Sequence, residues 1–400
     1  MRTKLIGICL IVVAIIGIIA ALYYARNNRN LPLVFSNSAM VNELWRSYKI
    51  EYIESSTFRT LDKQKNNITT SEGESYTMFR SVLMDDKTVF DNSLSWTNTN
   101  LKHKNDNLFS WEFGQNSDGK YTIISENGGQ NSATDGDTDI ALSLIFAYSR
   151  WNDTKYLDQA KALVKDIWDK EVVTVNGKLI IAADDLEKTS NSSTIVINPS
   201  YFSPYAYKIF AKIDSNDWKK LTSDMYVVLN DSIILPLDKS KGILPPNWIT
   251  IDRQNGNILA STEVNLNTHF SYDAMRIPWR LAVDWLWNKD KRAIDTLRKL
   301  SFLSDQWSQN QKILSDYLHD GTPAVNYESP ANYGAYLGYF ITTNSPYKND
   351  IYSHKLELLY SPDKGTWKNK LGYYDDNWAW FGIALYQGAI IDLTNGIKFK

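Results

Sequence analysis

Along most of this 400-residue chain, apolar side chains return every three or four positions, the spacing that gathers them on one side of a helix. The pattern predicts helices over 39–55, 72–84, 137–150, 154–169, 201–213, 217–230, 272–288, 290–306, 329–341 and 376–391. Two stretches break the period. Residues 121–125, "YTIIS", and 170–182, "KEVVTVNGKLIIA", have strand-like composition, and the second holds Asn176-Gly177, a pair suited to a tight hairpin turn. These read as short β insertions between helices. No Gly/Ser-rich or Pro-rich linker divides residues 31–400, no strand–helix–strand rhythm appears, and no repeat is visible. The expectation is one helical domain over 31–400, closed on itself.

The N-terminal residues 1–30 follow a different rule. "LIGICLIVVAIIGIIAALYYA", residues 5–25, runs for 21 positions without a charge, long enough as a helix to cross a bilayer. It predicts a transmembrane helix, a single-pass anchor in the cell membrane with the remaining chain outside the cytoplasm. The flanking charges, Arg2 and Lys4 before it and Arg26 and Arg29 after it, differ little. A signal peptide cleaved near Ala20 and Ala21, releasing a secreted protein, is the rival reading. The only cysteine, Cys9, lies in this run, so the domain that follows holds no disulfide and relies on packing.

Without the first 30 residues the chain carries 39 basic and 45 acidic side chains, a net charge of −6. No basic tract follows a phosphate backbone, which argues against nucleic acid as a partner. The aromatic stock is large, with 14 Trp, 24 Tyr and 14 Phe. Flat apolar rings with polar tips are what a sugar-binding groove uses.

Carboxylates recur where helices begin. "SEGES", 71–75, puts Glu72 and Glu74 in a first turn. A Ser71 cap with two acids at the positive helix end is an ordinary arrangement; the other reading is a catalytic acid aimed into a cleft. In "NSATDGDTDIALSLIFAYSRW", 131–151, Asp135, Asp137 and Asp139 alternate. Such spacing suggests calcium, yet the glycine stands at 136, no acid follows at the required distance, and a helix starts at once. The plain alternative is a cap at Thr134 or Asp135. In "HFSYDAMRIPWRLAVDW", 269–285, Asp273 and Arg276 are three apart and free to pair, and Pro278 either starts the helix proper or kinks it. Three acid-bearing helix starts in an aromatic-rich chain suit glycosidic bond cleavage, which uses two carboxyl groups in opposed roles. Neither a cofactor nor a metal is called for.

Four stretches resemble the motifs of glycoside hydrolase family 8: "TSEGESY" (70–76), "SATDGDTDIALSLIFA" (132–147), "INPSYFSP" (197–204) and "YDAMRIPWR" (272–280). "YYDDNWAWFGIAL" (373–385) resembles the last barrel helix of that family, and "FDNSLSWTNTNL" (90–101) the segment after its second helix. The resemblance implies an all-α fold, an (α/α)6 barrel with short β insertions, here preceded by the expected transmembrane helix. It also implies Glu72 as general acid, Asp273 as general base and Asp135 as the contact to the sugar at the cleavage point. Tyr76, Trp96, Trp111, Tyr201 and Tyr272, with Arg276, are the candidate substrate-binding residues. Glu74 fills a place the family leaves variable; a carboxylate there would favour amino sugars or merely face solvent. The implied function is inverting, endo-acting cleavage of a β-linked, β-1,4 exopolysaccharide outside the cell, tied to its production or to biofilm, by a monomeric domain. The alternatives are a secreted β-glucanase, chitosanase or xylanase that degrades polymers, and a non-catalytic carbohydrate-binding protein.

Overall fold

Twelve helices of seven or more residues run through the computed structural model, which describes residues 39–399 except 239 and 264. They are α1 Ala39–Tyr52, α2 Ser71–Leu83, α3 Lys87–Asn100, α4 Thr134–Trp151, α5 Thr154–Glu171, α6 Pro204–Phe210, α7 Trp218–Ile234, α8 Arg276–Asn288, α9 Lys291–Lys299, α10 Phe302–Asn310, α11 Pro330–Thr342 and α12 Tyr373–Tyr386. Six of them, α2, α4, α6, α8, α11 and α12, pack neighbour to neighbour in that order. The ring closes where α12 meets α2: Arg80 pairs with Asp376 at 3.1 Å, and Tyr76 sits edge-on to Phe381 with centroids 5.2 Å apart. Around this ring, α1 lies on α12, α3 on α2, α5 on α4, α7 on α6 and α9 on α8. The architecture is therefore an all-α double-layered barrel.

The sequence difference between the layers follows from what each layer touches. Helix α5 is amphipathic and buries Tyr156, Leu157, Ala160, Leu163, Val164 and Ile167 on one side. An inner helix is enclosed all round; in α2 every residue is buried except Glu72. The inner helices α11 and α12 approach so closely that a Cβ on Gly382 would stand 2.4 Å from the Cα of Gly334, a crossing that only glycine permits.

Strands are short and join helix ends. β1 Thr69–Thr70, β2 Glu112–Gln115 and β3 Tyr121–Ile123 form one antiparallel sheet; β4 Val172–Val175 and β5 Lys178–Ile181 a hairpin; β6 Thr194–Ile197, β7 Ile249–Asp252 and β8 Ile258–Leu259 a second three-stranded sheet; β9 Tyr360–Ser361 and β10 Thr366–Trp367 a last pair. The β4–β5 turn is the expected one, with positive φ at Asn176 (47°) and Gly177 (77°).

Each predicted helix is present to within a few residues, with 290–306 divided into α9 and α10. Helix α3 was not anticipated, because Ser, Thr and Asn dominate its sequence and favour caps and turns. The membrane expectation needs correction. Among the described residues no helix is long and apolar enough to cross a membrane, and the 5–25 run on which the expectation rested lies outside them. The transmembrane helix, the membrane as a partner and the single-pass placement at the cell membrane are therefore not carried forward.

Candidate active site

Strand β1 delivers the chain to α2. The Ser71 amide donates to the Trp111 carbonyl at 3.1 Å, and Thr70, not Ser71 as expected, caps the helix by accepting from the Gly73 amide at 3.0 Å. This sets Glu72 in the first turn, the one α2 residue that is not buried. The start of α4 lies against it: a Cβ on Gly136 would fall 2.6 Å from Ser71 Oγ and 3.1 Å from the Glu72 amide nitrogen. The glycine in "TDGDTD" thus serves the close approach of two helix starts. Neither Thr134 nor Asp135 caps α4 in the expected way. Ala133 is the N-cap residue and makes no side-chain cap bond. Thr134 Oγ1 donates to the Ala182 carbonyl (2.8 Å), and Asp135 Oδ1 accepts from the amide next to it, that of Gly136 (2.9 Å).

The third helix start is built differently. Asn247 Oδ1 accepts from the amides of Ser271 (3.2 Å) and Ala274 (2.9 Å), holding a turn that ends where α8 begins at Arg276, with Pro278 in its first turn. Asp273 rides on that turn. Its Oδ1 accepts from Asn198 Nδ2 (3.0 Å) and Arg276 Nη2 (2.8 Å), and its Oδ2 from Trp248 Nε1 (3.0 Å).

Arg276 joins all three starts. The side chain is almost fully buried, and Nη1 donates to Glu72 Oε2 at 2.7 Å and Asp135 Oδ2 at 2.9 Å while Nη2 takes Asp273. Its Nε donates to Ser200 Oγ (3.0 Å), and the Tyr201 ring lies 5.2 Å from the guanidinium carbon. A rigid planar fork of donors is what permits one side chain to hold three carboxylates in fixed places. One cation does not neutralise three anions. Burial pushes the Glu72 carboxyl up to about 7, against the pull of Arg276 and with Asp135 adding to the rise. Burial also raises Asp135, whose upward shift Arg276 and Arg280 limit. Arg280 forms a second buried pair with Asp139, at 2.8 Å.

Of the aromatic candidates, Trp111 and Tyr201 line a cavity of about 650 Å³ together with Trp248, Ser132, Ala133, Asp184, Glu187 and Glu263, among others. Tyr272 is exposed, its ring 6.2 Å from that of Tyr374, whose hydroxyl donates to the Tyr272 carbonyl (2.6 Å). Tyr76 is buried in the barrel against Trp378 and Phe381, a wall and not an open platform. Trp96 is half-buried, edge-on to Phe113 at 5.2 Å, and does not line the cavity beside Arg276. Glu74 is fully buried, accepting from the Thr60 amide (2.6 Å) and the Ser93 hydroxyl. It faces α3, so the expectation that it would bias the cleft toward amino sugars is corrected. Trp248, Asn198 and Asn247 escaped the sequence reading; Asn198 stands inside the "INPSYFSP" motif, whereas Trp248 and Asn247, in "PPNWIT", belong to no recognised pattern.

Six inner helices wrapped by an outer layer, with three helix-start carboxylates gathered on one arginine beside an aromatic cavity, define a double-layered barrel with an acidic site. The model of glycosyl hydrolases family 8 matches residues 19–353, and the chain belongs to that family. Among curated relatives, an endoglucanase of Cellulomonas uda is 28% identical over 251 residues, 62% of this chain and 64% of the relative. An endoglucanase of Escherichia coli is 31% identical over 236 residues, 58% of this chain and 60% of the relative. The matched region thus spans less than two thirds of the length of these relatives. A β-1,3-1,4-glucanase from a Paenibacillus species shares the fold with a TM-score of 0.73 at 23% identity, covering 90% of this chain and 94% of its own.

Proposed function

We propose that this chain is an inverting, endo-acting glycoside hydrolase of β-1,4-linked glucan, with Glu72 as general acid and Asp273 as general base. The observation that carries the reading is the Arg276 fork. Glu72 and Asp273 accept from different terminal nitrogens of one guanidinium, which gathers the two carboxyl groups at a single site. In this reading a water stands between them, and inversion asks for a separation of about 6.5–9.5 Å. Glu72, pushed up to about 7, holds its proton through mildly acidic conditions and can pass it to the leaving oxygen as the glycosidic C–O bond breaks. Asp273 makes only accepted hydrogen bonds, and its side chain is 32% exposed. Water therefore reaches it, gives up a proton to it, and forms the new C–O bond on the opposite face. Asp135, in this reading, accepts from a sugar hydroxyl.

Trp111, Tyr201 and Trp248 supply apolar faces for sugar rings, and the carboxylates of Asp184, Glu187 and Glu263 among the cavity walls disfavour a polymer that itself carries acids. The relatives, endoglucanases and a β-1,3-1,4-glucanase, support glucan degradation over the narrower expectation of a self-made exopolysaccharide, which drew on the membrane anchor. The test is hydrolysis of hydroxyethyl cellulose, carboxymethyl cellulose, mixed-linkage β-glucan, xylan and chitosan. The neutral glucans are expected to be cut fastest, with viscosity falling ahead of reducing-end release. Proton NMR of the first product should show the α-anomer; a β-anomer would sink the assignment of the pair.

Trp248→Phe keeps an aromatic wall but removes the N–H that Asp273 accepts. A hydrogen bond to a charged group is worth about 1.5–3 kcal/mol, so kcat should fall by about 10- to 150-fold, with KM changing less. Equal loss in Tyr201→Phe, which leaves that bond in place, would show that the indole N–H has no special part.

A further inference from the structure

Directly under the floor of this cleft, two carboxylic acids that the reaction does not use come together. Asp137 lies two residues beyond Asp135 on α4, Glu171 is the last residue of α5, and both are 0% exposed. Asp137 Oδ1 accepts from the Phe109 amide at 3.0 Å, and Glu171 Oε1 from Ser132 Oγ at 2.6 Å. The second oxygen of each, Asp137 Oδ2 and Glu171 Oε2, has no other partner, and the two groups are within hydrogen-bonding reach of one another. The further titratable groups that face them are Asp185, after β5, and Tyr207 on α6. Neither brings a positive charge. Two carboxylates so enclosed cannot both be ionised without large cost, whereas one proton between them makes a short charge-assisted hydrogen bond.

What hangs on the pair is the segment that leads into Asp135. Ser132, bonded to Glu171, also donates its amide to Asp185 Oδ1 and accepts from the Asp185 amide, each at 2.9 Å. The Asn131 carbonyl accepts from the amide of Trp111 (2.8 Å), and the Thr134 amide donates to the Ala183 carbonyl (3.1 Å). Ser132, Ala133, Ala183 and Trp111 are all walls of the cleft.

We propose that Asp137 and Glu171 are positioning residues that share a single proton, and that this proton fixes residues 131–134 and, through them, Asp135. The consequence for catalysis rests on the role given to Asp135 above; the conformational claim does not. Burial pushes the Glu171 carboxyl up to about 8, with Asp185 adding to the rise and the hydrogen bond from Asp137 opposing it, while burial and the charge of Glu171 raise Asp137 well above its usual range. A proton held more tightly in the folded chain than in the unfolded one stabilises at low pH, and that contribution is lost as pH rises into the alkaline range where the last proton of the pair leaves. The floor of the cleft is then the part that opens.

Because Glu72 titrates nearby, activity alone would not separate the two. Hydrogen exchange of the amides in 131–136 of the full chain, corrected for the intrinsic rate and referenced to amides of α11, reads the segment directly. Between about pH 6 and about pH 9.5 protection in the unmodified chain is expected to fall about tenfold or more. Glu171→Gln still accepts from Ser132 and donates an N–H to Asp137, and Asp137→Asn does the converse, so each should retain its protection and its activity at the lower pH while losing the pH response. The double variant sets two amide NH2 groups face to face and should lose protection at both pH values. Unchanged protection in the parent, single variants that follow the parent, or a double variant that behaves like the singles would each overturn the shared proton. These outcomes are read even if no β-glucan is cleaved.

Discussion

Glu72→Gln is expected to lower kcat by about 10²–10⁴-fold, the range that general acid catalysis supplies, in a protein that still folds. Glutamine has the same shape and keeps an oxygen for Arg276 Nη1, which now sits 2.7 Å from Oε2, but it has no transferable acid proton. Because burial has raised the Glu72 carboxyl to about 7, the parent should lose kcat/KM on the alkaline side near that value, as the acid ionises in the free enzyme. The same shift has a stability sign. The folded chain holds this proton more tightly than the unfolded chain, so the contribution of Glu72 is present at low pH and is lost as pH rises from the ordinary glutamate range, about 4.3, through about 7. A neutral amide does not titrate. The melting temperature of the variant relative to the parent should therefore climb between about pH 5 and about pH 8. Activity within about tenfold of the parent would remove Glu72 from the acid role, and a flat melting difference would remove the raised proton affinity.

The helices were legible because inner and outer members alike repeat their apolar positions at helical spacing. Which of them line the barrel was less so. In α2 burial is nearly complete, so its pattern carries little amphipathic contrast and the ring order had to come from packing. Glu72 and Glu74 illustrate what a spacing rule can and cannot say. Two positions apart on a helix, they point to roughly opposite sides, so only one of them can enter the cleft; the motif resemblance selects Glu72, and the buried bonds of Glu74 to Thr60 and Ser93 account for the other. The pairing of Asp273 with Arg276 followed from their spacing of three. That the same guanidinium reaches Glu72 and Asp135, 204 and 141 residues away, is set by ring closure and has no local signal. Trp248 was missed for the same reason: it is brought to Asp273 by the β6–β7–β8 sheet, and nothing around it in the sequence marks it as a site residue.

Arg276→Met should do more damage to the fold than any change to the carboxylates it holds. Methionine can fill part of the space, yet Asp135, which is buried, loses its cation, and Glu72 and Asp273 lose the donors at 2.7 and 2.8 Å. Breaking a buried pair by removing one partner costs about 3–5 kcal/mol, because the remaining charge is left uncompensated. The loss should depend on pH in a definite direction. Arg276 pulls down the proton affinities of Glu72 and Asp135, so without it both hold protons to higher pH; once protonated they no longer need the cation. Destabilisation should thus be greatest at neutral and alkaline pH and shrink as the solution becomes acidic. Hydrolysis should fail across the range, since protonating Asp135 rescues the fold without restoring the fork that holds Glu72 and Asp273. Arg276→Lys is the informative companion: its single ammonium keeps the charge but lacks the planar fork, so it should recover much of the stability and little of the rate. Urea unfolding of both variants at several pH values, beside kcat/KM on hydroxyethyl cellulose, measures the two effects separately. A lysine variant as active as the parent would mean that charge alone suffices, and that the fork geometry at the centre of the proposed site has no catalytic part.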